Sequence, residues 1–511
     1  CREKLIENIT KDGNFIKKEK IVHPVGHSER THAVVEPMLS KQWFVKMTPL
    51  AKQALANQEG KGKVNFIPER FENVFINWMS NAEDWCISRQ LWWGHRIPAY
   101  YHKVTGEVVV SVNPPKDIEN YEQDSDVLDT WFSSALWPFT TLGWPNETDD
   151  LKRYFPTNVL VTGYDIIFFW VSRMIFQSLE MNKKAPFVKV VIHGLVRDSQ
   201  GRKMSKSLGN GIDPMEVIKT YGADALRYFL TTNSTPGQDM RYIDEKVAAS
   251  SNYLNKIWNS ARYVLSVLPE GYKEHELTLK ELSNIDKWII NRLNTTISNV
   301  YKNMEKYDFN AASSHLYNFV YDDYCSQYLE LSKVALNGDD VKRKETTYQV
   351  LLTVLRNIIL LIYPYTPFIA EELYLSLPTH LESIMLESYP KEYKALNDES
   401  VNKEINFLFN LIKDVRNYKI TNHLAPNSKL DIKLNSKLTL SDDFMVYLNR
   451  FTFSEVSLLK DDVTHMAGEL FVYDEGELLI AVGGSKDEIL ARLTKELENE
   501  KNELRRSENM L

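Results

Sequence analysis

Two lysines and two serines fall within five residues, in the stretch Arg202-Lys203-Met204-Ser205-Lys206-Ser207-Leu208-Gly209-Asn210. An apolar run from Val188 to Val196 precedes it and reads as a strand ending at His193-Gly194. Asp213-Pro214-Met215-Glu216-Val217-Ile218 follows and reads as a capped helix with proline at its first position. The ammonium groups of Lys203 and Lys206 therefore belong to a loop at the C-terminal end of a strand, the edge where open α/β sheets bind ligands. Such groups suit a polyphosphate, whose charge must be stabilised during displacement at phosphorus. The alternative is a solvated basic turn, and a lone Lys-x-x-Lys carries no more than that. His193 either touches the nucleotide or is a satisfied structural residue.

A second constellation lies upstream. Asp126-Val127-Leu128-Asp129-Thr130-Trp131-Phe132-Ser133-Ser134 is followed by a buried-strand pattern, Val159-Leu160-Val161-Thr162-Gly163. Tyr164 to Arg173 then reads as the helix leaving that strand. A carboxylate at Asp165 favours a helix start and also suits the α-ammonium of an amino acid held over the sheet edge. The two uses are compatible. Trp131, Ile166 and Trp170 either wall a small apolar pocket or are core side chains at helical spacing.

The remaining elements must position these groups. With 511 residues the chain is long enough for roughly three or four domains. Hydrophobic content of 43% and charged content of 25% are those of a soluble globular protein. A net charge of -8 supplies no global basic footprint, yet a local basic groove suffices for RNA. Cys1, Cys86 and Cys325 are too few for a disulfide framework, which favours a reducing compartment, the cytosol. The best apolar run, Val350 to Ile362, is broken by Arg356 and Asn357 and is short for a membrane span. The chain begins with Cys and enters mid-pattern, which reads as a fragment. His23, His27 and His32 lie in a polar loop, and no metal site is expected there. Arg89, Gln90 and Arg96, in a tryptophan-rich segment, either contact RNA or nucleotide or sit among buried aromatics. Tyr100 to Ser111 reads as a hairpin around Thr105-Gly106.

From Asp244 the pattern becomes helical, at Val247–Leu265, Ile285–Met304, Phe309–Val334, Glu345–Tyr363 and Phe368–Leu377, which together suggest an antiparallel bundle. Residues 391–482 are mixed: helices at Leu411–Ile420 and Asp442–Phe451, strands at Lys429–Leu438 and Glu469–Val482. Leu490, Leu493, Leu497 and Leu504 start a heptad seam with too few repeats to stand alone.

The Lys203–Ser207 pentapeptide resembles the second signature of class I aminoacyl-tRNA synthetases, and Gly222-Ala223-Asp224-Ala225-Leu226-Arg227-Tyr228 resembles the helix after it. Trp85-Cys86-Ile87-Ser88-Arg89-Gln90-Leu91-Trp92-Trp93-Gly94 is similar to a run of the valyl, isoleucyl and leucyl subgroup. The Asp-Thr-Trp-Phe-Ser-Ser and Thr-Gly-Tyr-Asp-Ile-Ile-Phe-Phe-Trp elements resemble the valyl members. Pro364 to Glu372 and Asn255 to Tyr263 are similar to the anticodon-binding bundle of the class.

The resemblance implies an α/β plus all-α chain. In order it carries the tail of an inserted editing domain (1–33), the second half of a Rossmann-like catalytic domain (34–243) and a helical anticodon-binding bundle (244–390). A small α+β junction (391–484) and the start of a coiled-coil arm (485–511) follow. The implied activity is ATP-dependent activation of valine and its transfer to tRNA(Val), with Mg²⁺ accompanying ATP. Lys203 and Lys206 are the implied catalytic residues. His193, Gly194, Lys203, Met204, Ser205, Lys206 and Ser207 are implied for ATP, and Trp131, Asp165, Ile166 and Trp170 for valine. Arg262 and Tyr263 are implied for the anticodon, where a tyrosine can stack an unpaired base. A slot for a branched three-carbon side chain cannot strongly reject threonine, a limit for which valyl enzymes are themselves the standard example. The first class signature, His-Ile-Gly-His, is absent, so the chain alone is expected to be inactive. A cytoplasmic monomer is expected. Two alternatives stay open: a tRNA-binding or scaffold fragment without catalysis, and an isoleucine-specific enzyme of the class.

Overall fold

The computed structural model describes residues 2–28, 31–205, 208–393, 398–460 and 468–481, together with Thr494, Leu497, Lys501 and Arg505. The chain divides into two compact units, Cys1–Lys63 with Phe75–Pro156 and Phe168–Pro186, and Val64–Val74 with Thr157–Ile167 and Phe187–Leu511.

The first unit is built of short antiparallel pairings. Phe44–Val45 pairs with Trp85–Cys86, and Ser88–Arg89 with Val127–Leu128. Ala99–His102 lies between Val108–Val110 and Tyr121–Gln123. The expected hairpin is present, and it turns where Gly106 takes a positive φ of 69°. Met47–Glu59 packs on Arg173–Asn182, where Gln53 Nε2 donates to the Leu179 carbonyl over 3.4 Å. Near the N-terminus stands a helix, Arg2–Lys11. Its single face of Leu5, Ile6 and Ile9 among charged residues gave little periodic signal.

The second unit opens on a parallel three-stranded sheet with Phe187–His193 between Asn65–Ile67 and Thr157–Gly163. The register pairs His193 with Gly163, so both strands end at one level. Val196–Arg197 then pairs in parallel with Met240–Arg241. The capped helix expected after the lysine loop is Pro214–Tyr221, with the Asp213 side chain accepting from the Met215 N–H over 2.8 Å. Bundle helices follow at Asp244–Val267, Asn284–Glu305, Val341–Ile362 and Pro367–Leu375, and a further helix, Glu399–Thr421, packs on Asn284–Glu305. One apolar core runs continuously from Val217 to Ile480. Among the described helices, Val341–Ile362 alone is long and apolar enough to cross a membrane, but 83% of its apolar window is buried in this core.

Three local expectations are corrected. Phe309–Val334 is not one regular α-helix, because Phe319–Tyr328 winds more widely between Phe309–Asn318 and Leu329–Leu336. The Ser326 hydroxyl donates to the Tyr321 carbonyl five residues back, which suits that winding. Tyr164 to Arg173 is likewise a 3₁₀ turn, Tyr164–Ile166, then a wide turn, Ile167–Ser172, before the regular helix Arg173–Asn182 begins. The strand expected over 469–482 is a hairpin, Gly468–Tyr473 and Gly476–Ala481, inside a four-stranded mixed sheet. Two strands of matching apolar alternation, separated by Asp474-Glu475, read as one long run.

A buried ion pair joins the bundle helices. Asp286 is 1% exposed. It caps its own helix with Ser283, accepts from the Tyr328 hydroxyl over 2.7 Å, and pairs with the Arg343 guanidinium. Removing one partner of such a pair strands the other charge in a poorly solvated place. Asp286→Ala is expected to lower stability by about 3–5 kcal/mol, read as a shift in the urea midpoint. A loss below about 1 kcal/mol would show that Arg343 finds water instead.

Candidate functional site

The lysine loop is braced by side chains that composition did not single out. Asp198, 6% exposed, accepts from the backbone N–H groups of Gln200 (3.1 Å) and Arg202 (2.7 Å). It also accepts from Arg202 Nε over 2.7 Å and from Asn210 Nδ2 over 2.9 Å. Asn210 in turn accepts from the Ser205 N–H over 3.0 Å and donates to the Lys203 carbonyl over 3.2 Å. Arg197 and Lys203 form an antiparallel bridge around a turn whose Gly201 has φ 82°. The loop is thus closed at its base by one carboxylate and one amide. Asn210 foremost, and then Arg202 against the cost of burial, hold the Asp198 carboxyl down at about 2. Asp198-Ser199-Gln200-Gly201 is a turn signal, and it was the one trace of this brace in the sequence.

A second carboxylate fixes where the loop leaves the sheet. Asp239 accepts from the Leu195 N–H over 2.8 Å, from the Tyr164 hydroxyl over 3.1 Å and from the Arg197 guanidinium. Burial pushes the Asp239 carboxyl up, but these donors outweigh it and hold it below the usual range. Tyr164 directly precedes Asp165. Both strand ends and the start of the loop therefore meet at one group.

The expected residues of this unit come together at the sheet edge. A Cβ built on Gly163 would lie 2.8 Å from Asp165 Oδ1 and 3.5 Å from His193 Cε1, so the carboxylate and the imidazole flank the same glycine. Asp165, His193 and Lys203 are exposed, and Ile166, Gly194, Met204 and Ser205 are half-buried. The His193 Nδ1 lies 2.8 Å from the Gly194 carbonyl. Gly194 is crowded: a Cβ there would be 1.7 Å from the Gln238 carbonyl oxygen. Lys206 and Ser207 lie outside the described residues.

The first unit brings Trp131 and Trp170 together. The Trp170 Nε1 donates over 3.0 Å to the carbonyl of Ser134, which ends the short helix Thr130–Ser134 that carries Trp131. The Trp131 ring centroid is 5.7 Å from that of Phe169. Asp129 caps this helix, with its Oδ1 accepting from the Trp131 N–H over 3.2 Å. Its Oδ2 accepts from Trp85 Nε1 (3.0 Å) and Arg89 (2.8 Å). Arg173, 6% exposed, stacks its guanidinium 3.9 Å from the Trp85 ring centroid. Burial pushes Arg173 down to about 10 against the pull of Asp129, so it stays charged at neutral pH. Arg89, Gln90 and Arg96 are engaged by the protein itself: Arg89 with Asp129, Gln90 with Gln42 and Asp126, Arg96 with the Asp124 carbonyl. Gln90 and Arg96 are exposed, as are Trp92 and Trp93 between them, so this stretch is not the set of buried aromatics expected of it. His23 and His27 bond to carbonyls of their own loop.

On the helix Asp244–Val267, Arg262 is exposed and Tyr263 half-buried, with the Lys333 ammonium 5.6 Å from the Tyr263 ring centroid. Trp258, on the same helix, is 38% exposed.

A parallel sheet whose edge gathers a carboxylate, a histidine and a braced lysine loop is followed along the chain by a helical bundle. Residues 6–118 and 114–243 match the family of class I tRNA synthetases (I, L, M and V), and residues 286–434 match the anticodon-binding domain of tRNA ligases. The chain belongs to the class I tRNA synthetases. Among its relatives there are valine–tRNA ligases. It is 54% identical over 458 residues to that of Lactobacillus acidophilus, covering 88% of this chain and 52% of the relative. It is 50% identical over 511 residues to that of Geobacillus stearothermophilus, covering 98% and 58%. The chain spans about half the length of the curated relatives it matches. Among solved structures, Mycobacterium tuberculosis methionyl-tRNA synthetase in complex with methionyl-adenylate aligns with a TM-score of 0.55 at 22% identity, covering 69% of this chain and 66% of that one. A LeuRS–tRNA–LeuAMS ternary complex of Agrobacterium radiobacter K84 aligns at 0.53 and 21%, covering 64% and 46%. At these identities the likeness is one of fold. The isoleucine-specific alternative is not favoured by these relatives.

Two outcomes test the geometry. Asn210→Ala is expected to return the Asp198 carboxyl toward its ordinary range, followed by carboxyl NMR. Because the native value is depressed, the brace contributes fully above the unfolded value of roughly 3.9 and is lost as pH falls through about 2. A value for Asp198 that does not move in the variant would remove Asn210 from the brace. Gly194→Ala is expected to cost roughly 3 kcal/mol or more in thermal or urea unfolding, since backbone rather than a pliable side chain stands in the way.

Proposed function

We propose that this chain supplies the lysine-loop half of the active site and the tRNA-binding region of a valine–tRNA ligase. The observation that carries the reading is the joint one: identity of 50–54% to valine–tRNA ligases, and a sheet edge where Asp165, His193, Gly194 and the Lys203 loop meet. The reaction is activation of valine by ATP to valyl-adenylate and pyrophosphate, then esterification of tRNA(Val), with Mg²⁺ entering bound to ATP.

In this reading Asp165 pairs its carboxylate with the valine α-ammonium. Trp131, Ile166 and Trp170 are the residues assigned to the valine side chain, whose larger homologues bulky indoles would exclude sterically. The Lys203 ammonium, and that of Lys206, stabilise charge that accumulates on the phosphates as pyrophosphate leaves. Their service depends on placement, because effective charge stabilisation needs groups already fixed before the reaction. The Asp198–Asn210 brace and the Asp239 junction supply that fixity. His193, Gly194, Met204, Ser205 and Ser207 line the nucleotide. Arg262 and Tyr263 meet the anticodon, one through a phosphate or base edge and one by stacking.

The same reading divides the chain at 1–33, 34–243, 244–390, 391–484 and 485–511, with the last segment starting a coiled-coil arm toward the tRNA body. It takes the enzyme as a cytoplasmic monomer. The test is amino-acid-dependent ATP–pyrophosphate exchange, run on this chain alone and on a chimera that adds the part of the Geobacillus stearothermophilus relative that this chain does not cover. The chimera is expected to exchange best with valine and weakly with threonine, and the chain alone to be silent. Lys203→Ala in the chimera is expected to lower the exchange rate by about 10²–10³-fold, with little change in the KM for valine. A preference for isoleucine would overturn the pocket assignment.

A further inference from the structure

The junction helix Asp442–Thr452 ends on Phe453, which takes the left-handed conformation at φ 54° and ψ 30°. That position normally belongs to glycine or asparagine, because a Cβ is crowded there. The residue is also 52% exposed, so the strained backbone is not compensated by burial of the ring. Strained positions of this kind cluster at functional sites.

Two cavities share the Phe453 ring. The smaller, about 290 Å³, is walled by Phe451, Leu424 and Pro426 and carries Arg416 and Lys419. It sits at the small end of the roughly 300–1,000 Å³ range of ligand clefts, which suits one flat ring. Lys419 is 2% exposed and donates to the carbonyls of Pro426 (2.9 Å) and Thr452 (2.6 Å). Two of its three protons are thereby used, and its ammonium stands 5.8 Å from the Phe453 ring centroid. The larger cavity, about 660 Å³, carries Lys333, Lys429 and Arg450. Among the described lining residues of both, Glu455 is the single carboxylate against five cations, one of which, Lys333, is paired over 2.7 Å with Glu330 outside the lining. In a chain of net charge -8 this is a local concentration of positive charge around an exposed aromatic ring. Lys333 also stands over Tyr263, so the cationic surface continues toward the bundle helix.

We propose that Phe453 and the two cavities it lines bind a single-stranded RNA segment, with one unpaired nucleobase stacked on the ring. A carbonyl on the base edge accepts the remaining Lys419 proton, while Arg416, Lys429 and Arg450 meet phosphates. Stacking on an aromatic platform within a basic groove is how proteins hold unpaired bases. The carbonyl requirement favours uracil over adenine, whose edge has none. The proposal rests on the tRNA-binding reading above and extends it from the bundle to the junction.

The probe is a fluorescein-labelled RNA stem with an all-uridine loop, and a matched stem with an all-adenosine loop, titrated against the full chain by anisotropy. Phe453→Gly is the informative variant, because glycine favours the left-handed conformation and the fold gains rather than loses by it. Its expected result is binding to the uridine loop weakened by about tenfold with an unchanged or raised Tm. Phe453→Trp is expected to retain binding, and Arg416→Ala to reduce the salt dependence. The parent chain should favour the uridine loop. If Phe453→Gly binds as the parent does while Arg262→Ala with Tyr263→Ala loses affinity, this proposal falls and the bundle reading stands. If the parent binds neither loop, or binds polyglutamate as tightly as RNA, both fall.

Discussion

One carboxylate, Asp239, holds three segments that the active edge needs in register. It takes the Leu195 N–H just beyond one strand, the Tyr164 hydroxyl just beyond its neighbour, and the Arg197 guanidinium at the root of the lysine loop. A single anion serves all three because its two oxygens accept in several directions at once. Gly194 makes the arrangement possible, since only a residue without a Cβ lets the chain pass this close to Gln238. The parallel pairing of His193 with Gly163 then brings Asp165 and His193 to one level.

The same device recurs in the first unit. Asp129 caps the helix of Trp131 and anchors Trp85 and Arg89, while Arg173 is stacked on Trp85. The helix of Trp131 and the base of the Lys203 loop are thus held by Asp129, Asp198 and Asn210, residues not themselves assigned to a ligand. Such support gives a site its precision: a loop lysine on a freely moving backbone would lose, in ordering, much of what its charge contributes. The bundle follows another logic. Its continuous apolar core sets the helices, and the Asp286–Arg343 pair with Tyr328 fixes how they meet.

The wide turns show how tertiary contacts override local pattern. Nothing in the spacing of Phe309 to Val334 marks where regular winding stops. Yet the wider segment ends on Tyr328, which reaches Asp286, and starts where the Tyr317 and Tyr321 rings stack at 5.4 Å. Likewise the Tyr164–Arg173 segment changes pitch twice before Arg173 seats on Trp85. An i→i+5 turn costs little when buried partners reward it, and periodicity reports only the average pitch.

What the sequence determined by itself was whatever depends on neighbours along the chain. The capped helix at Pro214, the strand ending at His193-Gly194, the hairpin about Gly106 and the bundle helices follow from caps, turn residues and apolar spacing. The Lys203–Ser207 pentapeptide and the tryptophan elements were legible as chemistry for the same reason: their residue types stand together. The braces were not legible, because Asp198 meets Asn210 twelve residues away and Asp239 meets Tyr164 seventy-five residues away. A carboxylate in a list of residues carries no sign of whether it faces water or an arginine. Only folding brings the donors to it, and so only the tertiary structure decided which acids hold the site and which merely solvate the surface.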